Sequence, residues 1–223
     1  MINQRFKIFE LKKGFTLAEV LITLVIIGVI AALTIPTAIN NTKDQELKSQ
    51  FAKAYSTISQ ALYKTEMNDF YGYARCYYPS NGEAVCDECA KFYSAFEKNL
   101  SVQKVCKGNS KADGCIPDYQ TYHTATGCKG WGQSNMNNQN YSYVLSNGQI
   151  IIAYHNSSFL VPGFLVDING HKGPNAYGKD LFAFRIKKDD ESSIYVNDGL
   201  CDFPVSGGRT TKEMIQYALA GVK

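Results

Sequence analysis

The chain has 223 residues, 45% of them hydrophobic and 13% aromatic, with 23 Lys+Arg, 20 Asp+Glu and seven Cys. That is enough apolar and aromatic material for a buried core, too little charge for a disordered chain, and no collagen or heptad composition. A net charge of +3 is too small to argue for a nucleic-acid binder, and it is unevenly placed. Residues 1–14 hold Arg5, Lys7, Lys12 and Lys13 against Glu10 alone; taking away these four bases and one acid leaves 19 of each in the rest of the chain.

The basic block runs directly into Phe15–Ile35, 21 residues with a single charge, Glu19, and then Pro36. About 20 apolar residues cross the hydrocarbon core of a bilayer. The preceding bases predict a cytoplasmic N-terminus, with the rest of the chain beyond the inner membrane. A cleaved secretory signal is the plain alternative, but the apolar run exceeds the usual signal core of roughly 7–15 residues and no Ala-x-Ala site closes it. An uncleaved signal anchor stays open. Glu19 is the informative residue. A carboxylate at membrane depth costs roughly 2.5–3.5 kcal/mol on insertion scales, which asks for a partner unless it snorkels or stays protonated.

The stretch from Gly14 to Ala32 (GFTLAEVLITLVIIGVIAA) resembles the prepilin signature shared by type IV pilins and the pseudopilins of type II secretion. The likeness covers the leader and about twenty residues after it. It consists of Gly, then Phe, then Glu four residues beyond Phe, then an unbroken apolar helix, with Pro36 where many members carry a helix-bending proline. The resemblance implies a pilin-like α+β fold: a long N-terminal helix, half in the membrane and half amphipathic, laid on a C-terminal antiparallel sheet. It further implies cleavage between Gly14 and Phe15 by a prepilin peptidase, N-methylation of Phe15, and an inner-membrane assembly platform that draws the subunit into a helical filament of homologous subunits. Glu19 would then meet the new Phe15 amine of a neighbouring subunit, each neutralising the other. Breaking a buried pair of that kind typically costs about 3–5 kcal/mol. The part implied is structural, not enzymatic, and the rival reading is a signal-anchored binding or enzymatic domain that does not polymerise.

Beyond Pro36, which bends a helix more readily than it ends one, Leu47, Phe51, Tyr55, Ile58 and Leu62 recur at steps of 4, 4, 3 and 4, with Ala54 and Ala61 on the same face. This predicts an amphipathic helix over 36–68. Residues 69–140 read as a Cys-rich irregular region of the head, with a short helix over 88–98. From 141 the period turns to two. Residues 141–145 and 149–154 flank Asn147-Gly148 as a hairpin, with further strands at 159–168, 181–186 and 193–196. Residues 210–220 read as a closing helix capped by Thr210 or Thr211.

Cys76, Cys86, Cys89, Cys106, Cys115, Cys128 and Cys201 all follow the apolar segment, on the side where disulfides persist if the N-terminus is cytoplasmic. Cys86-x-x-Cys89 has no second pair to make a zinc ribbon and no βαβ setting for a thioredoxin-like motif. Structural disulfides are expected, with one thiol left over and the pairing open. The three His are scattered, no catalytic or phosphate-loop motif occurs, and no specific nucleic acid is expected as a partner. Asp167, Asn169 and Asp180 offer hard oxygens around an Asn169-Gly170 turn, though the spacing is not that of an EF-hand. The segment resembles a D-x-N-G-x-K-G-P-N stretch of some pilin-like proteins, and calcium sites in this part of the wider family make Ca²⁺ the one cofactor to consider beside a plain turn.

Overall fold

The computed structural model describes residues 14–69, 94–120, 136, 141–153, 163–188, 194–198, 202 and 204–220. The chain divides into two compact units, Met1–Gln45 and Glu46–Lys223.

The first unit holds the start of helix α1 (Leu17–Asp69), 53 residues that continue through Pro36 without interruption. Pro36 lacks an N–H, so the turn that would bond to the Ala32 carbonyl is lost, yet the helix goes on. Leu21, Leu24, Val25, Ile27, Ile30 and Leu33 are all exposed in the isolated chain. A helix apolar on every side belongs in lipid or among other helices, and α1 is long and apolar enough to serve as a single-pass anchor. Within the apolar run, Thr23 Oγ1 donates to the Val20 carbonyl and Thr34 Oγ1 to that of Ile30, both at 2.9 Å.

The second unit is built on a six-stranded antiparallel meander in chain order: β1 (Val102–Lys107), β2 (Tyr141–Leu145), β3 (Ile150–Ala153), β4 (Gly163–Asp167), β5 (Leu181–Lys188) and β6 (Ile194–Asp198). The register Tyr143↔Ile151↔Val166↔Phe182 puts these four side chains on one face. There Phe51, Ala54, Ile58, Ala61 and Leu62 of α1 pack against them, as the helical spacing predicts, with Leu47 and Tyr55 half-buried at the margin. The α1 stripe thus lies on an antiparallel sheet, the α+β pilin-like arrangement expected from the sequence. Short helix α2 (Thr211–Leu219) adds Met214 and Ala218 to the same layer. A helical turn over 94–98 brings Phe96 onto Phe164, and Asn99 donates to the buried Thr65 of α1.

The opposite face is also covered. Ile150, Ile152, Leu165, Leu181 and Ala183 lie under Cys115, Ile116, Tyr119, Met136 and Tyr177. With both faces dry, β3 reads Ile-Ile-Ile-Ala and is buried throughout.

The β2–β3 hairpin turns through Ser146-Asn147-Gly148, with Gly148 at φ 85° as the Asn-Gly signal requires. β5 and β6 each run two residues past their expected ends. Only 163–168 of the expected strand 159–168 and 94–98 of the expected helix 88–98 are among the described residues. One strand went unread in the region taken as irregular: β1. Among the described residues it pairs only with β2; it exposes Gln103, Lys104 and Lys107 and buries Cys106 alone, so it lacks the alternation that marks a half-buried strand. Cys106 is joined to Cys115, closing the loop that follows β1. Cys76, Cys86, Cys89, Cys128 and Cys201 lie outside the described residues.

Candidate functional sites

Gly14, Phe15 and Thr16 precede α1, and Phe15 is 88% exposed. Thr16 is the residue the sequence reading passed over. Its Oγ1 accepts the Glu19 backbone N–H (3.2 Å), while Glu19 Oε2 accepts both the Thr16 backbone N–H (2.8 Å) and the Thr16 hydroxyl (2.7 Å). Thr-x-x-Glu here is a capping box, which satisfies two of the orphan donors at the helix start. The signal was in the sequence as Thr16-Leu17-Ala18-Glu19. Glu19 therefore has a role within its own chain, at the first turn of the helix where an anion is favoured. Both of these bonds fall on Oε2.

The second site gathers residues from three segments on the face of the sheet away from α1. β4 ends at Asp167, and Asp180 immediately precedes β5; β4 and β5 pair so that Asp167 stands opposite Leu181. Both carboxylates are almost fully buried. Asp167 Oδ1 accepts the backbone N–H groups of Asn169 (3.2 Å) and Gly170 (2.8 Å), holding the turn after β4. Its Oδ2 accepts the hydroxyl of Tyr119 (3.0 Å). Asp180 accepts the backbone N–H groups of Asn175 (2.7 Å) and Ala176 (2.6 Å), and the Asn169 carboxamide lies against it at 3.5 Å. Tyr119 is placed by the chain beyond the disulfide loop: Gln120 bridges to Ala176 in parallel and donates its N–H to the Asn175 carbonyl. Gly170, at φ 70°, sits so close to the β2–β3 turn that a Cβ would lie 2.1 Å from the Gly148 carbonyl oxygen.

Electrostatically the site is unbalanced. Burial, and next the neighbouring Asp180 charge, push the Asp167 carboxyl up to about 8. Burial also raises Asp180, against the opposing backbone N–H groups of Ala176 and Asn175. Tyr119 is raised as well, first by burial and then by Asp167. Of the three oxygen-bearing residues singled out from the sequence, Asp167, Asn169 and Asp180, all meet here. Asn175, held at φ 52°, and Tyr119 are added by the fold. Among the described residues no group of three or more His, Cys, Asp or Glu gathers, so a cation would rest on two carboxylates and on carboxamides. The Oδ1 atoms of Asn169 and Asn175 are buried without a hydrogen-bond partner, and oxygen donors of this kind fit a hard cation.

Compared with known families, residues 11–35 match the model described as the prokaryotic N-terminal methylation motif. This is the prepilin-type signal of pilins and pseudopilins, and it implies processing by a prepilin peptidase and assembly with other pilin subunits. No curated protein and no solved structure matched the chain.

Proposed function

We propose that the chain is a structural subunit of a type IV pilus or a type II secretion pseudopilus. In this reading it is inserted in the inner membrane with residues 1–14 in the cytoplasm and the 46–223 unit outside. The prepilin peptidase cuts between Gly14 and Phe15 and Phe15 is N-methylated. The observation that carries the reading is the methylation motif at 11–35 running straight into a continuous helix of 53 residues.

Removing residues 1–14 takes away the four cytoplasmic bases that hold the helix in place, and it creates a cationic amine on Phe15. The capping box engages only Oε2 of Glu19, so Oε1 is left to receive that amine from a neighbouring subunit. A desolvated carboxylate paired in this way sets the register between neighbours as well as neutralising the charge. The exposed apolar length of α1 passes from lipid to the company of other α1 helices, which leaves its surface in an apolar medium throughout.

Mass spectrometry of the native protein tests the proposal. A mature chain beginning at N-methylated Phe15 is the expected result, and any other first residue overturns it in favour of a signal-anchored domain. Gly14→Ala should leave full-length precursor in the inner membrane. Glu19→Ala should be cleaved normally but assemble poorly, and wild-type filament yield from that variant would refute the charge pairing. Neighbouring genes separate the two machines: a retraction ATPase favours a pilus, a secretin with a pseudopilin cluster favours secretion.

A further inference from the structure

The first fully buried side chain of α1 is Phe51. Leu47, one turn earlier, is only half-buried, and the large apolar residues before it are exposed. Packing that begins abruptly on a long helix is weakest at its first turn, because movement of the unpacked length acts there before it reaches the rest of the stripe. Two further contacts meet α1 at this turn, from separate parts of the 46–223 unit. From α2, the half-buried Tyr217 presents its ring to Lys48, whose Nζ lies 4.9 Å from the centroid, and the Arg209 guanidinium lies 4.5 Å from the same ring. Met214 and Ala218 seat α2 on the sheet, which fixes that ring in place. From the β2–β3 turn comes Gln149, almost fully buried. Its Nε2 donates to the Gln50 carbonyl (3.3 Å) and lies 3.5 Å from the Ile168 carbonyl. Asn147 holds the same residue: its Nδ2 donates to Gln149 Oε1 and its Oδ1 accepts the Gln149 N–H, both at 3.0 Å.

We propose that Lys48 with Tyr217, and Gln50 with Gln149, form a clasp that keeps the stripe from Phe51 to Leu62 on the sheet when the rest of α1 moves. Apolar contacts weaken gradually as a helix lifts. A buried amide behaves otherwise: once α1 leaves, Gln149 loses its acceptor inside a dry layer, and a buried donor left unmade costs more than the bond gains. The Lys48 ammonium adds attraction to a ring already partly withdrawn from water. A carbonyl has two lone pairs, so Gln50 can keep its helical bond while accepting from Gln149. The acceptor is backbone, which every residue carries, so no side-chain pattern marks the contact. The inference does not depend on filament assembly; if α1 is drawn by its apolar half, the load enters the 46–223 unit at this turn.

Hydroxyl-radical footprinting of the full-length protein in detergent tests the clasp. Phe51 oxidation, read by mass spectrometry, reports lifting of α1, and Leu62 at the far end of the stripe is the internal control. Gln149→Met keeps a side chain of similar volume without the donor, and Tyr217→Leu keeps an apolar side chain without the ring. Each should raise the Phe51 oxidation rate about threefold and the double variant about tenfold, with Leu62 changing much less. Lys48→Met leaves the core untouched and keeps the test decisive should Gln149→Met not fold. It should reproduce Tyr217→Leu, and the two combined should exceed either by less than about twofold, because they remove one contact. No rise at Phe51 in Lys48→Met or Tyr217→Leu, or equal rises at Phe51 and Leu62, overturns the proposal. None of these results touches the N-terminal processing test.

Discussion

Phe51→Ala tests whether α1 is fastened to the sheet in the register described. The Phe51 side chain is fully buried. Its ring meets Phe182 edge-on at 4.9 Å and lies tilted over Phe184 at 5.6 Å, and through Phe184 it joins Phe164 and Phe96. Truncating a buried Phe to Ala costs about 3–5 kcal/mol, combining lost transfer energy with the cavity left behind. Both aromatic contacts go with it, each worth about 0.5–1.5 kcal/mol beyond area burial. The upper part of the range, about 4–5 kcal/mol, is therefore expected. At about 2–4 °C per kcal/mol for a unit of this size, the melting temperature should fall by roughly 8–20 °C. Denaturant unfolding of the detergent-solubilised protein measures the loss directly, with Tyr63→Ala as the reference. Tyr63 is on the same helix but 63% exposed, so its truncation should stay within about 0.5 kcal/mol. A Phe51→Ala cost below about 1 kcal/mol, or one equal to that of Tyr63→Ala, would show that α1 does not seat on the sheet through this residue.

Gly170→Ala would place a methyl group against the Gly148 carbonyl and force a left-handed backbone on alanine. Thermal melting should show a loss above about 2 kcal/mol, and a near-neutral change would refute the close approach. The raised Asp167 carboxyl makes the folded state hold a proton that the unfolded chain releases near pH 4. Its contribution to stability is present below that pH and is lost as pH rises through about 8. Unfolding midpoints at pH 6 should therefore exceed those at pH 8.5, and the opposite slope would contradict the buried-pair account. Thr210 caps α2 by accepting the Glu213 N–H, and Glu213 returns a bond to the Thr210 N–H. Thr210→Ala should cost about 1 kcal/mol by denaturant unfolding, and no measurable loss would mean the box is not formed in solution.

What the sequence determined by itself was whatever depends on near neighbours in the chain. The apolar run and the stripe from Leu47 to Leu62 are local patterns; the first led to a long helix exposed along its length, the second to a helix with the expected face inward. The Asn147-Gly148 hairpin and the Thr210 cap belong to the same class, because a turn or a cap is decided within four residues. β1 escaped because an edge strand exposing lysines has no strong period. It is a strand by virtue of pairing with β2, some forty residues later. The Thr16–Glu19 capping box was legible but overshadowed, since one carboxylate was given a single purpose. Tertiary structure alone decided the second site. Asp167 and Asp180 are 13 positions apart and could equally have faced solvent from a plain loop. Antiparallel pairing of β4 with β5 brings them together, and the segment beyond Cys115 delivers Tyr119 from 48 residues away to bury them. Burial raises both carboxyls above their ordinary range, and burial is a property of the packed fold that no local pattern contains.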